Sequence, residues 1–259
     1  MTALLGWLWR RLRIDRQLAL LACLLAAGDL ALVWLHLQRF ALRRLGLGEH
    51  WLAAHQLALD DADGLVVGWV MIQMLALAAA AFAVALRRPT PALLVSAALV
   101  MGITVVKLTK PHLLLAEALV GHLPPQGFMG LNRLQSGKLV AEIGIGLAWL
   151  ALASIAVRLA NDGATRTGAA LVLWLVIGLA VTGGLGDLGY MMFAGRFAGA
   201  VATFELAESG GEMAVLTLAC LGFVALARVL ARRRARSPAG PPPAAAAEPL
   251  RVPLPGAAS

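Results

Sequence analysis

Six apolar runs punctuate this chain: Leu18 to Leu37, Leu65 to Leu86, Ala92 to Val106, Leu139 to Leu159, Gly168 to Asp187 and Glu212 to Val229. A hydrocarbon layer about 30 Å thick takes about 20 helical residues to cross. Runs of this kind must satisfy their backbone hydrogen bonds internally, because lipid offers no partner. That leaves helix, since barrel strands would be about ten residues long and would alternate in polarity. The expected fold is all-α, a polytopic transmembrane helix bundle of about six spans, with the third run the shortest. Composition agrees: 60% of the 259 residues are hydrophobic, 14% are charged, and the mean hydropathy is +0.81.

A net charge of +8 and a pI near 10.9 would suit a nucleic-acid binder if the basic residues shared a soluble face. They cluster instead at the chain ends and span edges, so they read as topology signals. The expected partners are the lipid bilayer and another membrane protein, with no nucleic acid. The chain divides into residues 1–17, 18–230 and 231–259. The first, MTALLGWLWRRLRIDRQ, gives an amphipathic interfacial helix with Trp7 and Trp9 at headgroup level. The second is the transmembrane bundle. The third is basic and then rich in proline and alanine, a disordered tail. Cys23 and Cys220 both fall inside spans and read as buried apolar fillers. The late start of the first apolar run argues for a retained first span.

Arg10, Arg11, Arg13 and Arg16, then Arg87 and Arg88, then Arg158 and Arg166, then Arg228, Arg232, Arg233, Arg234 and Arg236 all fall on one side of a six-span chain. By the positive-inside rule both termini are cytoplasmic, in a bacterial inner membrane. Lys107, Lys110, Arg133 and Lys138 run against this orientation.

Traced through that topology, acids and histidines gather at the opposite end. His36 ends the first span, His50, His55, Asp60, Asp61 and Asp63 follow it, and His112, Glu117 and His122 lie after the third. Glu142, Asp187, Glu205, Glu208 and Glu212 complete the set. In a continuous helix Glu205, Glu208 and Glu212 would form one stripe. The candidate polar pocket is Asp29, His36, Glu142, Asp187, Glu208 and Glu212. Carboxylates from separate helices can share a cation, so His50, His112, Glu117, Glu142 and Glu212 are the metal-ligand candidates. The same acids would suit proton or cation passage, or would simply stay solvated at the positive end of a helix.

KPHLLLAEALVGHLPP predicts a short helix of about three turns from His112, opened by Pro111 and closed by Pro124. Asp29 is the deepest acid, and Gln73 is an available partner type. GGLGDLG follows a membrane span rather than a strand, so its glycines read as the end of the fifth span. No phosphate-binding loop, nucleophile elbow or paired-cysteine motif is present, so no cofactor is specified.

LALDDADGLVVGW, KPHLLLAE and ELAESGGEM together resemble a broad group of uncharacterised bacterial multi-pass membrane proteins. Those carry an acidic outer segment before the second span, a D-E-x4-H-E motif after the third, and a Glu-rich segment before the last. Here Glu117, Glu208, Glu212 and Met213 match; most of the central motif does not. The resemblance implies the six-span topology and lends no established activity. Three functions stay open: an accessory or assembly component of a membrane system, a small proton- or cation-coupled transporter, and a metal-dependent hydrolase with a carboxylate and histidine site at the periplasmic face.

Overall fold

The computed structural model describes residues 2–47, 64–127, 131–193 and 200–236. Helix accounts for 89% of it, with no strand among the described residues, and six helices are long and apolar enough to cross a membrane. His50, His55, Asp60, Asp61, Asp63 and the tail from residue 237 lie outside the described residues.

The chain begins with α1 (Thr2–Ile14) and α2 (Arg16–Arg44), parted by Asp15, whose side chain caps α2 by accepting from the Leu18 amide. α1 is helical as its pattern predicts, but its two tryptophans separate. Trp7 packs against the core beside buried Leu8, whereas Trp9 is exposed with the Arg13 guanidinium 5.0 Å over its ring. α3 (Leu65–Arg87) and α4 (Pro91–Thr109) follow. Pro91 starts α4 where a missing N–H costs nothing, and 19 residues make the third span long enough to cross. Its buried Ser96 and Thr104 hydroxyls donate back to the Ala92 and Val100 carbonyls, so they leave no polar debt in the bundle.

Lys110, at φ 46°, is the only non-glycine residue with positive φ among the described residues. It turns the chain sharply into α5 (Pro111–Val120), the short helix expected from its two prolines. α5 packs on α6 (Arg133–Arg158) where Ala116 meets Gly137; a Cβ on Gly137 would lie 2.7 Å from the Ala116 carbonyl oxygen. α6 starts six residues before the apolar run does. Asn132 and Gln135 form a reciprocal capping box that carries the helix through a polar first turn.

The fifth span is α7 (Gly163–Leu179), which runs without a break through a π-helical turn, π1 (Ala180–Gly184), into α8 (Leu185–Phe193). The helix thus continues past the glycines of GGLGDLG, while the stretch long and apolar enough to cross ends among them, at Gly184. The last span is built the same way: α9 (Ala200–Glu205), π2 (Leu206–Gly210) and α10 (Gly211–Arg236). The basic run from residue 231 to Arg236 belongs to α10 rather than to a tail.

α10 is the hub, packed on α3, α7 and α2; 67% of its membrane window is buried, against 11% for α2. Phe223, Met213, Leu216 and Leu226 on α10 pack in one core with Met74 and Leu77 of α3 and Leu175 of α7. Cys220 is buried there, but Cys23 is exposed on α2, so only one of the two cysteines is a core filler.

Candidate functional site

The polar residues fall into three layers along α10. The first lies at the end where π1 and π2 touch. Small residues permit that contact: a Cβ on Gly211 would lie 2.6 Å from Thr182 Cγ2, and one on Gly183 would lie 2.8 Å from Glu212 Oε1. A π turn takes one more residue than an α turn, so it rotates everything beyond it by about 100°.

This rotation breaks the expected glutamate stripe. Glu205, before π2, faces α2, its Oε2 3.6 Å from His36 Nε2, and both side chains are buried. Glu208, within π2, lies against α8, where a Cβ on Gly186 would be 2.6 Å from Glu208 Cβ. Glu212, after π2, accepts from Lys107 Nζ on α4. The three carboxylates thus serve three different helices.

Glu142 pairs along its own helix with Lys138, 3.6 Å away. His112 is half-buried at the start of α5, while Glu117 and His122 are exposed. Asp187 stands in the first turn of α8, and its side chain lies outside the described part. Among the described residues, no group of three His, Cys, Asp or Glu side chains is placed to hold a metal ion. Three of the four residues that ran against the orientation also find roles here. Lys107 and Lys138 are neutralised by Glu212 and Glu142, and Arg133 donates to the Gly121 carbonyl at the end of α5.

The second layer is Asp29, at the middle of α2. Its Oδ1 accepts from Trp69 Nε1 and from Gln73 Nε2, both at 2.7 Å, and its Oδ2 accepts from Thr217 Oγ1 at 2.7 Å. Gln73 Nε2 also donates to Thr217 Oγ1 at 2.9 Å, so one closed network ties α2, α3 and α10. Gln73 is fully buried, and its Oε1 has no donor among the described residues. Gln73 was readable as a partner for Asp29, but Trp69 and Thr217 were not. The available signal was Trp69 and Gln73 standing four apart, hence on one face of α3. Gly28 completes the arrangement, because a Cβ there would run into the Trp69 indole. Gly28→Ala is expected to push the indole off Asp29 and cost about 1–3 kcal/mol. A denaturation midpoint equal to that of the parent would contradict this.

The third layer is the opposite, basic end. Asp15 takes Arg228 Nη1 at 2.6 Å and Arg232 Nη2 at 2.8 Å, joining the start of α2 to the end of α10. Asp162 caps α7 through the Ala164 and Thr165 amides and pairs with Arg88 at 3.1 Å, joining the α3–α4 and α6–α7 turns. Burial alone would raise the Asp15 carboxyl, but the Leu18 amide and the charges of Arg228 and Arg232 outweigh it and hold it below its ordinary value. Asp162 is likewise lowered, with burial outweighed by the Ala164 and Thr165 amides, the Thr165 hydroxyl and Arg88.

A lowered folded value means stabilisation that is fully present above the unfolded carboxylate value near 4 and is lost as pH falls through the folded one. The melting temperature should therefore drop below about pH 4. An Asp15→Asn/Asp162→Asn variant should show a shallower acid slope; an unchanged slope would assign the loss to other groups.

α2 and α10 thus run antiparallel and meet at Asp15 with Arg228 and Arg232, at Asp29 with Thr217, and at the His36–Glu205 pair just before α10. Compared with known proteins, the chain matches no family model, no curated protein and no solved structure. The likeness of its acidic segments to a group of bacterial membrane proteins accordingly assigns no family, and what is shown is a multi-pass helical membrane protein.

Proposed function

We propose that this chain is a non-catalytic, multi-pass component of a bacterial inner-membrane system, acting through its outer surface as an accessory or assembly partner. One observation carries the reading: among the described acids and histidines, Asp29, His36, Glu142, Glu205 and Glu212 pair off with groups on their own or neighbouring helices. Asp15, Asp29 and Glu205 join α2 to the last span, and Glu212 joins that span to α4. In lipid such interhelical polar contacts act as fasteners. In this reading the basic end is cytoplasmic, α1 lies in the interface, and the carboxylate end is periplasmic.

The test is photo-crosslinking in intact cells from two outward positions, Leu24 on α2 and Ile143 on α6, both exposed. A single membrane protein captured at one or both sites, and recovered with this chain in fixed ratio, is the expected result. Capture of lipid alone at both sites contradicts it.

A second reading, proton or cation transport, is favoured by the depth of Asp29 on the α2–α10 seam, between His36–Glu205 on one side and Asp15 on the other. It requires ion flux in liposomes that is lost in Asp29→Asn.

A further inference from the structure

We propose that a cleft between the basic ends of α3 and α10 binds the phosphate headgroup of an anionic phospholipid. The cleft has a volume of about 320 Å³ and is lined by Arg87, Arg234, Leu230, Ala231 and Ala235. It shares the basic end with Asp15 and Asp162 but is lined by neither, so it does not depend on the accessory reading.

Three arginines at this end are neutralised by carboxylates. Arg88 is neutralised by Asp162, and Arg228 and Arg232 by Asp15. Arg87 and Arg234, the two that line the cleft, have no carboxylate partner among the described residues. Arg87 spends one contact on the Ala83 carbonyl at 3.1 Å, which leaves most of its donor fork open. Both side chains are exposed. Two uncompensated guanidiniums facing one concavity form an anion site, and the planar fork suits phosphate oxygens two at a time.

Depth turns that anion into a lipid. Arg87 is the last residue of the second crossing helix, Leu65–Arg87, and Arg234 is next to the end of the sixth, Thr203–Ala235. Basic residues at the ends of crossing helices stand at the membrane surface, where headgroup phosphates are found. The remaining wall is apolar, formed by Leu230, Ala231 and Ala235, and exposed Leu86 next to Arg87 on α3 offers a surface along which an acyl chain can run. Basic pockets between spans are a recurrent way of holding anionic headgroups.

The experiment is native mass spectrometry of full-length protein released from nanodiscs of phosphatidylcholine with a minority of phosphatidylglycerol. The parent is expected to retain phosphatidylglycerol selectively, and Arg87→Gln/Arg234→Gln to lower that preference about tenfold or more. An Arg10→Gln/Arg16→Gln control removes the same charge from exposed positions at the same end and should leave it unchanged. Equal losses in both double variants would mean diffuse surface charge and would overturn the site, as would a parent with no preference. Arg87→Lys/Arg234→Lys, which keeps the charge but not the fork, should fall between the parent and the glutamine variant. Millimolar inorganic phosphate should not displace the lipid; if it does so fully, the ligand is free phosphate and the lipid assignment fails. Unchanged melting temperatures across the variants would exclude misfolding as the cause.

Discussion

Asp29→Leu should destabilise the bundle by about 2–5 kcal/mol, because it removes the acceptor for three donors at once. Trp69, Gln73 and Thr217 reach Asp29 from two other helices, and leucine offers none of them a partner. Hydrogen bonds between helices in a membrane average about 0.6 kcal/mol each and reach about 1.7. The loss should appear in reversible unfolding in mixed micelles, with the contact of α2 on α10 the first to open. α2 is the least buried of the crossing helices, so little else holds it at that depth. A variant as stable as the parent would mean that the network contributes nothing.

The second large effect is expected at Gly186, where α8 rests on π2. A Cβ there would lie 2.6 Å from Glu208 Cβ and 3.0 Å from its Cα, and a backbone atom cannot rotate out of the way. Gly186→Leu should therefore force the two segments apart at about 3 kcal/mol, the upper end of ordinary overpacking, with Gly186→Ala intermediate. Cysteines placed at Leu188 and Ala207 in a background lacking Cys23 and Cys220 should report a widened gap by spin-label distance. An unaltered distance together with unaltered stability would place α8 away from π2.

How much of this was written legibly in the chain depends on the kind of residue. The six crossing helices follow from hydropathy alone, which depends on no neighbour. Their ends do not, because polar residues continue the helices past the apolar runs. α6 begins at Arg133 on the strength of the Asn132–Gln135 capping box, a local pattern that could have been read, and α10 carries its basic run to Arg236.

The π turns were not legible. An i→i+5 hydrogen bond leaves no periodic signature in five residues, although Gly183–Gly184 and Gly210–Gly211 mark both places. Missing π2 is what made Glu205, Glu208 and Glu212 read as a stripe. Asp29 with Gln73 was legible as a pair of types, since an acid in lipid needs a partner. Trp69 and Thr217 depended on which helices face α2, which a single sequence does not encode. Asp15 and Asp162, the acids left out of the carboxylate end, are accounted for by capping together with their arginines.

The account's central claim is that the polar residues of the bundle are fasteners between helices. Asp29→Asn tests it most directly, because asparagine keeps one acceptor oxygen for Trp69 and Gln73 while removing the ionisable group. The measurement is proton flux into liposomes holding equal amounts of parent or variant protein. We predict equal flux from both, at the level of protein-free liposomes, with the variant's stability within about 1 kcal/mol of the parent. Flux from the parent that disappears in Asp29→Asn would contradict the fastener account and make Asp29 the ion-carrying residue of a transporter.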